Sequence, residues 1–218
     1  PPKPRRQCTD RIAEQFALES ALAISFKIAL TRQTNCTIFR SGALTLIAEN
    51  LTIDRGGRRV FQDLSFTLSQ GTALVVTGAN GIGKSSLLRT LAGLVALAGG
   101  AIRFDGGEDD RPAHEHAHYF GHQDSVKPAL SVLENLEFWQ SFTAPTAATG
   151  FTGDLHKPMG ALELLGIGHT AHLPAAYLSA GQKRRLSLSR LLVTARPIWL
   201  MDEPTSALDK NSEALLLS

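Results

Sequence analysis

Between positions 44 and 68, apolar and polar residues alternate, with a break at Gly56-Gly57. Period-two alternation around a glycine pair predicts two antiparallel strands closed by a tight turn. The β-branched run 72–77 reads as another strand. After a glycine-rich turn, Leu87, Leu88, Leu91, Leu94 and Val95 recur at helical spacing and predict a helix over 85–95. Further strands are expected at 99–104 and 117–121. Helices are expected at 131–141 and 159–165, separated by an Ala/Thr/Pro/Gly loop over 143–153. A last helix is expected at 181–194, and the apolar strand 198–201 then ends on two acids.

Residues 1–42 read differently. They carry Lys3, Arg5, Arg6, Arg11, Lys27, Arg32 and Arg40 against Asp10, Glu14 and Glu19, and hold no chemical motif. They are set apart as an N-terminal extension of unknown role, with residues 43–218 as the functional domain. No A-x-A site follows a clean apolar core, as a cleaved leader would require. The longest apolar stretch, 16–30, is interrupted by Glu19, Ser25 and Lys27. It falls short of the roughly 20 residues that cross a bilayer.

Composition narrows the class. With 218 residues, 43% hydrophobic and 19% charged, the chain has an ordinary globular make-up, which sets aside disordered and fibrous proteins. A net charge of +2 is far from the concentrated positive field of a nucleic-acid binder, so no DNA or RNA partner is expected. Cys8 and Cys36 form no CxxC pair and suit a reducing compartment rather than a disulfide framework.

The chemistry begins at Gly78-Ala79-Asn80-Gly81-Ile82-Gly83-Lys84-Ser85, which fits G-x-x-x-x-G-K-[ST] between an expected strand and an expected helix. Glycines let the backbone curl so that successive N–H groups face phosphate oxygens, and the helix N-terminus adds its dipole. Lys84 would neutralise the β- and γ-phosphates, the Ser85 hydroxyl would ligate Mg²⁺, and Ser86 completes the nucleotide-binding run. Strand 198–201 delivers Asp202, which would hold the magnesium, and Glu203, which would polarise the attacking water as general base. ATP and Mg²⁺ are the ligands this pattern asks for.

Kinases, GTPases, helicases and transporters all share those two features. The string Leu178-Ser179-Ala180-Gly181-Gln182 discriminates, because it resembles the signature of ABC ATPases and opens an expected helix ahead of Asp202. Ser179 and the Gly181 N–H at that helix start can form a second anion site. A plain Ser N-cap is the alternative. Gln123 stands where the family places its Q-loop, and Ser206-Ala207-Leu208-Asp209 matches its D-loop.

The resemblance implies an α/β P-loop ATPase core with an antiparallel β entry and a helical subdomain at about 124–178. The signature would bind the ATP held by a second copy of the chain, and Gln123 would sense magnesium and the attacking water. The stacking aromatic of the family is replaced by Asp54-Arg55-Gly56, so either Arg55 or Phe61 is expected at the adenine.

The stretches 119–128 and 133–139, and the run 178–192, are similar to the cytochrome c maturation ATPases, with the whole likeness covering about residues 44–209. That resemblance implies a homodimer beneath integral-membrane permease subunits of that system, on the cytoplasmic face of a bacterial inner membrane, powering haem export or release of the haem chaperone. The alternatives are an ABC ATPase for another cargo and a nucleotide-binding chain without turnover.

His114, His116, His118 and His122 invite a haem or metal reading, but a solvated loop with one satisfied strand histidine explains them, and no direct haem binding is expected. Lys183-Arg184-Arg185 reads as a solvated helix face. After Asp209 the chain lacks the strand with a switch histidine that the family pattern continues with. It therefore reads as truncated at its C-terminus, with weak turnover and an exposed sheet edge.

Overall fold

The computed structural model describes residues 26–30, 44–106, 111–143, 157–194 and 196–204. These fall into two compact units, one containing 26–123 and 196–204 and the other 124–194. The leading segments 1–25 and 31–42, the D-loop and the 144–153 part of the expected loop lie outside the described residues.

In the first unit, β2 (Thr45–Arg55) and β3 (Arg58–Ser69) form the expected hairpin, and β5 (Gly99–Asp105) pairs on the other side of β2. All pairs in this three-stranded sheet are antiparallel. The alternation in β2 slips once. Leu46 and Ala48 are buried on one parity, Leu51 and Ile53 on the other. An extra residue between Ala48 and Leu51 causes the slip. At this bulge the Asn50 N–H donates to the Ser65 hydroxyl (2.8 Å), which in turn donates to Asn50 Oδ1 (3.2 Å).

The second sheet has the order β4 (Ala73–Val76), β1 (Phe26–Leu30), β7 (Ile198–Met201), β6 (Ala117–Phe120). β6 and β7 run parallel, and β1 is antiparallel to both β4 and β7. β4, β7 and β6 therefore point the same way, and the loops leaving them gather at one edge. Phe26–Leu30 falls in the segment set apart from the sequence, yet it pairs on both sides. β7 is buried along its whole length. Its entrance is fixed by Arg196 Nη1 donating to Ala117 O (2.7 Å) and Trp199 Nε1 donating to Arg196 O (3.1 Å).

Helix α1 (Lys84–Leu91) stops short of the expected 95. Gly93 adopts φ 72, and the Leu94 N–H turns back onto Arg89 O (2.8 Å), so Leu94 and Val95 leave the helix axis. Leu87, Leu88 and Leu91 join Leu46, Leu51, Ile53, Ile198 and Leu200 in the unit's core.

The second unit is helical: α2 (Val132–Thr143), α3 (Pro158–Leu164) and α4 (Ala180–Val193). Its core joins Val132, Leu136, Ala161, Leu162, Ile167, Leu178, Leu186 and Val193. The unit runs on past 178 to include α4. Arg190 lies over the Trp139 ring at 3.8 Å, and burial lowers its pKa to about 10. Asn135, 1% exposed, accepts from Lys127 N (2.8 Å) and donates to the carbonyls of Lys127, Leu130 and Ser131. It thereby clamps the segment entering α2, which Ser131 and Glu134 cap reciprocally.

The reading of Lys183-Arg184-Arg185 as a solvated face is overturned. Arg184 is 2% exposed and ion-paired to Asp124 Oδ1 at 3.2 Å, and its neighbours are half-buried. Among the described residues no helix is long and apolar enough to cross a membrane.

Candidate functional site

β4 ends at Val76, and the glycine-rich loop carries the chain to Lys84 at the first turn of α1. Gly83 is the N-cap, at φ 113. A Cβ there would strike Val60 Cγ1 and stand 3.0 Å from the Phe61 ring, so glycine is demanded by both conformation and space. Lys84 is 5% exposed, and its ammonium donates to the carbonyls of Gly78 (2.7 Å) and Ala79 (2.8 Å). The cation is thus held inside the curl of its own loop. Gly78, Ala79, Asn80, Gly81 and Ile82 are exposed around it.

Two expected magnesium ligands meet. The half-buried Ser85 hydroxyl lies close enough to the buried Asp202 carboxylate to favour its anion. Asp202 is held from behind by its own N–H, which donates to Phe120 O (2.8 Å) and extends the β6–β7 pairing by one residue. Burial raises the Asp202 pKa above the ordinary carboxylate value. The Ser85 hydroxyl opposes this, the adjacent Glu203 charge raises it further, and Arg89 and His122 draw it back. Glu203 is half-buried and sits at φ 49, a left-handed conformation uncommon for a residue with a Cβ. Gln123 lies exposed beyond the end of β6, at the edge where Asp202 and Glu203 leave β7.

Arg89 is a site residue that the sequence reading missed. Its Nε donates to Tyr119 Oη (3.5 Å), and that hydrogen bond raises its pKa. A single arginine in a leucine-rich helix gives no sign of such a role. Of the two residues expected at the adenine, Arg55 donates through Nη1 to the buried Ser86 hydroxyl (3.3 Å), while the Phe61 ring lies against Gly83.

The signature belongs to the second unit. Leu178 is buried in its core, and Ser179 is the N-cap of α4 in a full capping box. Its Oγ accepts from Gln182 N (3.3 Å), and its N–H donates to Gln182 Oε1 (2.9 Å). The plain N-cap reading and the anion-site reading are compatible, because the cap uses a lone pair and leaves the hydroxyl hydrogen to donate. Ala180 is exposed and Gly181 half-buried at the helix start. The histidines do not converge: His116 packs against Phe104 with ring centroids 4.8 Å apart and planes tilted by 38°, His118 is buried in β6, and His114 and His122 are exposed. Two of the four are therefore buried, where one was expected.

A strand, a glycine loop closing on a buried lysine, a helix, and a parallel strand two places along the same sheet ending in carboxylates define an α/β nucleotide-binding protein of the P-loop class. The profile of the ABC transporter family matches residues 61–206. A cytochrome c biogenesis ATP-binding export protein, CcmA, of Rhodopseudomonas palustris strain BisB5 is 57% identical over 164 residues, spanning 75% of this chain and 78% of that protein. The protein of the same name from Nitrobacter winogradskyi is 51% identical over 171 residues, spanning 78% and 82%. The chain belongs to the ABC transporter family, in the branch of these cytochrome c biogenesis ATP-binding proteins. A solved structure described as an ABC transporter ATP-binding protein from Pyrococcus furiosus shares the fold, with a TM-score of 0.62 at 22% identity over 79% of this chain and 82% of that one.

Proposed function

We propose that this chain is the ATP-hydrolysing subunit of an ABC complex that serves haem delivery in c-type cytochrome biogenesis. The observation that carries the chemistry is a lysine buried in the curl of its phosphate loop, with the Asp202 carboxylate pinned by its own N–H to Phe120 at the end of a parallel strand of the same sheet. The observation that carries the cargo is the likeness to the cytochrome c biogenesis proteins.

On nucleotide binding, the Lys84 ammonium would exchange the Gly78 and Ala79 carbonyls for phosphate oxygens, each charge-assisted bond being worth about 1.5–3 kcal/mol. Ser85, Asp202 and Gln123 offer the oxygen donors that suit a hard divalent cation, and Mg²⁺ held there would neutralise charge on the β- and γ-phosphates. Glu203 takes the proton of the attacking water as its oxygen bonds to the γ-phosphorus and the bond to ADP breaks. Ser179 and the Gly181 N–H would meet the γ-phosphate of the ATP bound by a second copy, so two nucleotides lie between two subunits. The α2–α4 unit would dock on integral-membrane permease subunits at the cytoplasmic face of an inner membrane.

The test is covalent-haem staining of the source organism with the locus deleted, then restored by the full-length gene, either wild-type or Glu203→Gln. Loss of c-type cytochromes that only the wild-type gene restores supports the reading. Stained bands that persist in the deletion strain, with no second copy of the gene, overturn the haem cargo.

A further inference from the structure

The buried Arg184–Asp124 ion pair has no part in the chemistry above. Arg184 lies on α4, three residues past Gly181 and four past Ala180, hence on the helix face that rises from the signature turn. Asp124 directly follows Gln123 and is 30% exposed, against 2% for Arg184. Beyond Asp124, Ser125 takes φ 50, and the chain from Lys127 to Ser131 is clamped by Asn135. The segment leaving Gln123 is therefore fixed to the helical unit at both ends, by Asn135 downstream and by Arg184 next to Gln123 itself.

We propose that Arg184 and Asp124 are positioning residues for ATP hydrolysis, because their ion pair fixes to the signature helix the residue that directly follows Gln123. The proposal rests on the nucleotide reading above. A guanidinium this deeply buried is costly to desolvate, and an apolar residue of similar volume would pack α4 as well. Only a charged fork can reach a carboxylate on the neighbouring segment and fix its direction. Loss of the tie leaves the phosphate loop intact but frees the segment that directly follows Gln123. Its effect falls on turnover rather than on nucleotide affinity.

The experiment compares wild type, Asp124→Asn, Asp124→Glu and Arg184→Met in the full chain for nucleotide Kd, kcat, KM and Tm. Arg184→Met guards against simple unfolding, since it removes the buried charge and leaves Asp124 within reach of water. Kd is expected to stay within about twofold while kcat falls about tenfold or more in Asp124→Asn and Arg184→Met, and Asp124→Glu is expected to recover most of the rate. Wild-type kcat in both pair-breaking variants overturns the proposal. So does a loss of kcat matched by equal losses of affinity and Tm, with no rescue by Glu. A wild-type chain that binds and hydrolyses no ATP overturns the nucleotide reading, and the tie with it.

Discussion

The hydroxyl of Ser85, in the first turn of α1, lies close enough to the carboxylate of Asp202, the first residue past β7, to favour its charged form. The pairing joins the two elements of the phosphate site without any ligand, and it does so around a carboxylate that burial disfavours in its charged form.

A pH dependence follows. Asp202 titrates higher in the folded chain than the ordinary carboxylate value of about 3.9, so over the window between the two values the folded state binds more protons than the unfolded one. Its contribution to stability therefore falls as pH rises through that window. Metal binding needs the anion, so Mg²⁺-dependent nucleotide affinity falls as pH drops through the raised value. Asp202→Asn keeps a partner for Ser85 and removes the desolvated charge. Thermal unfolding across the acid range should show the variant melting higher than wild type above the window, with Mg²⁺-dependent nucleotide binding lost. A lower melting temperature would contradict this account of Asp202.

Glu203→Gln preserves the shape of a side chain held at φ 49 and removes only its basicity. Turnover is expected to fall about 10²- to 10⁴-fold, the range of a positioned general base, with nucleotide affinity retained. Phosphate-release kinetics alongside equilibrium binding check this, and retained turnover would remove Glu203 from the role of base.

Asn135→Ala removes a side chain that satisfies one N–H and three carbonyls at 1% exposure. A cost of about 3 kcal/mol is expected, from several buried polar groups losing their partner at once. Urea unfolding gives the magnitude. Hydrogen exchange at the Lys127 amide, which loses its acceptor, should speed up more than exchange in α1.

Much of this was legible in the sequence, and the gaps have physical causes. The strand at 198–201 is readable to both ends, because an unbroken apolar run followed by acids has one simple explanation in a parallel sheet. The β2–β3 hairpin is readable from its glycine pair, but the parity slip at Asn50 is not, since it depends on Ser65 across the ladder. Phe26–Leu30 is invisible as a strand: five residues without a turn signal are held entirely by β4 and β7, both far along the chain. The basic triplet at 183–185 misleads for the same reason, because the carboxylate that accounts for Arg184 lies 60 residues earlier. At the site, motif spacing supplies Lys84, Ser85, Asp202 and Glu203, while Arg89 and the Arg55–Ser86 bond emerge only from packing.

Gly83 separates conformational strain from crowding. At φ 113 any side chain is strained, and the added Cβ would also overlap the Val60 methyl. Gly83→Ala is therefore expected to cost about 2–4 kcal/mol, combining a disfavoured backbone region with a steric clash, and to abolish tight nucleotide binding. Val60 is a half-buried residue on β3, so Val60→Ala alone should be mild, about 1 kcal/mol. The double variant removes the overlap but not the φ penalty. Its loss should be smaller than the sum of the single losses, giving a coupling of about 1 kcal/mol or more in a double-mutant cycle read by urea unfolding. Nucleotide binding should stay impaired, because the curl that aims the loop N–H groups depends on the backbone conformation of Gly83 and not on the space beside it. Strict additivity would mean the loop gives way without touching β3, and recovery of full affinity in the double variant would mean crowding alone made glycine necessary.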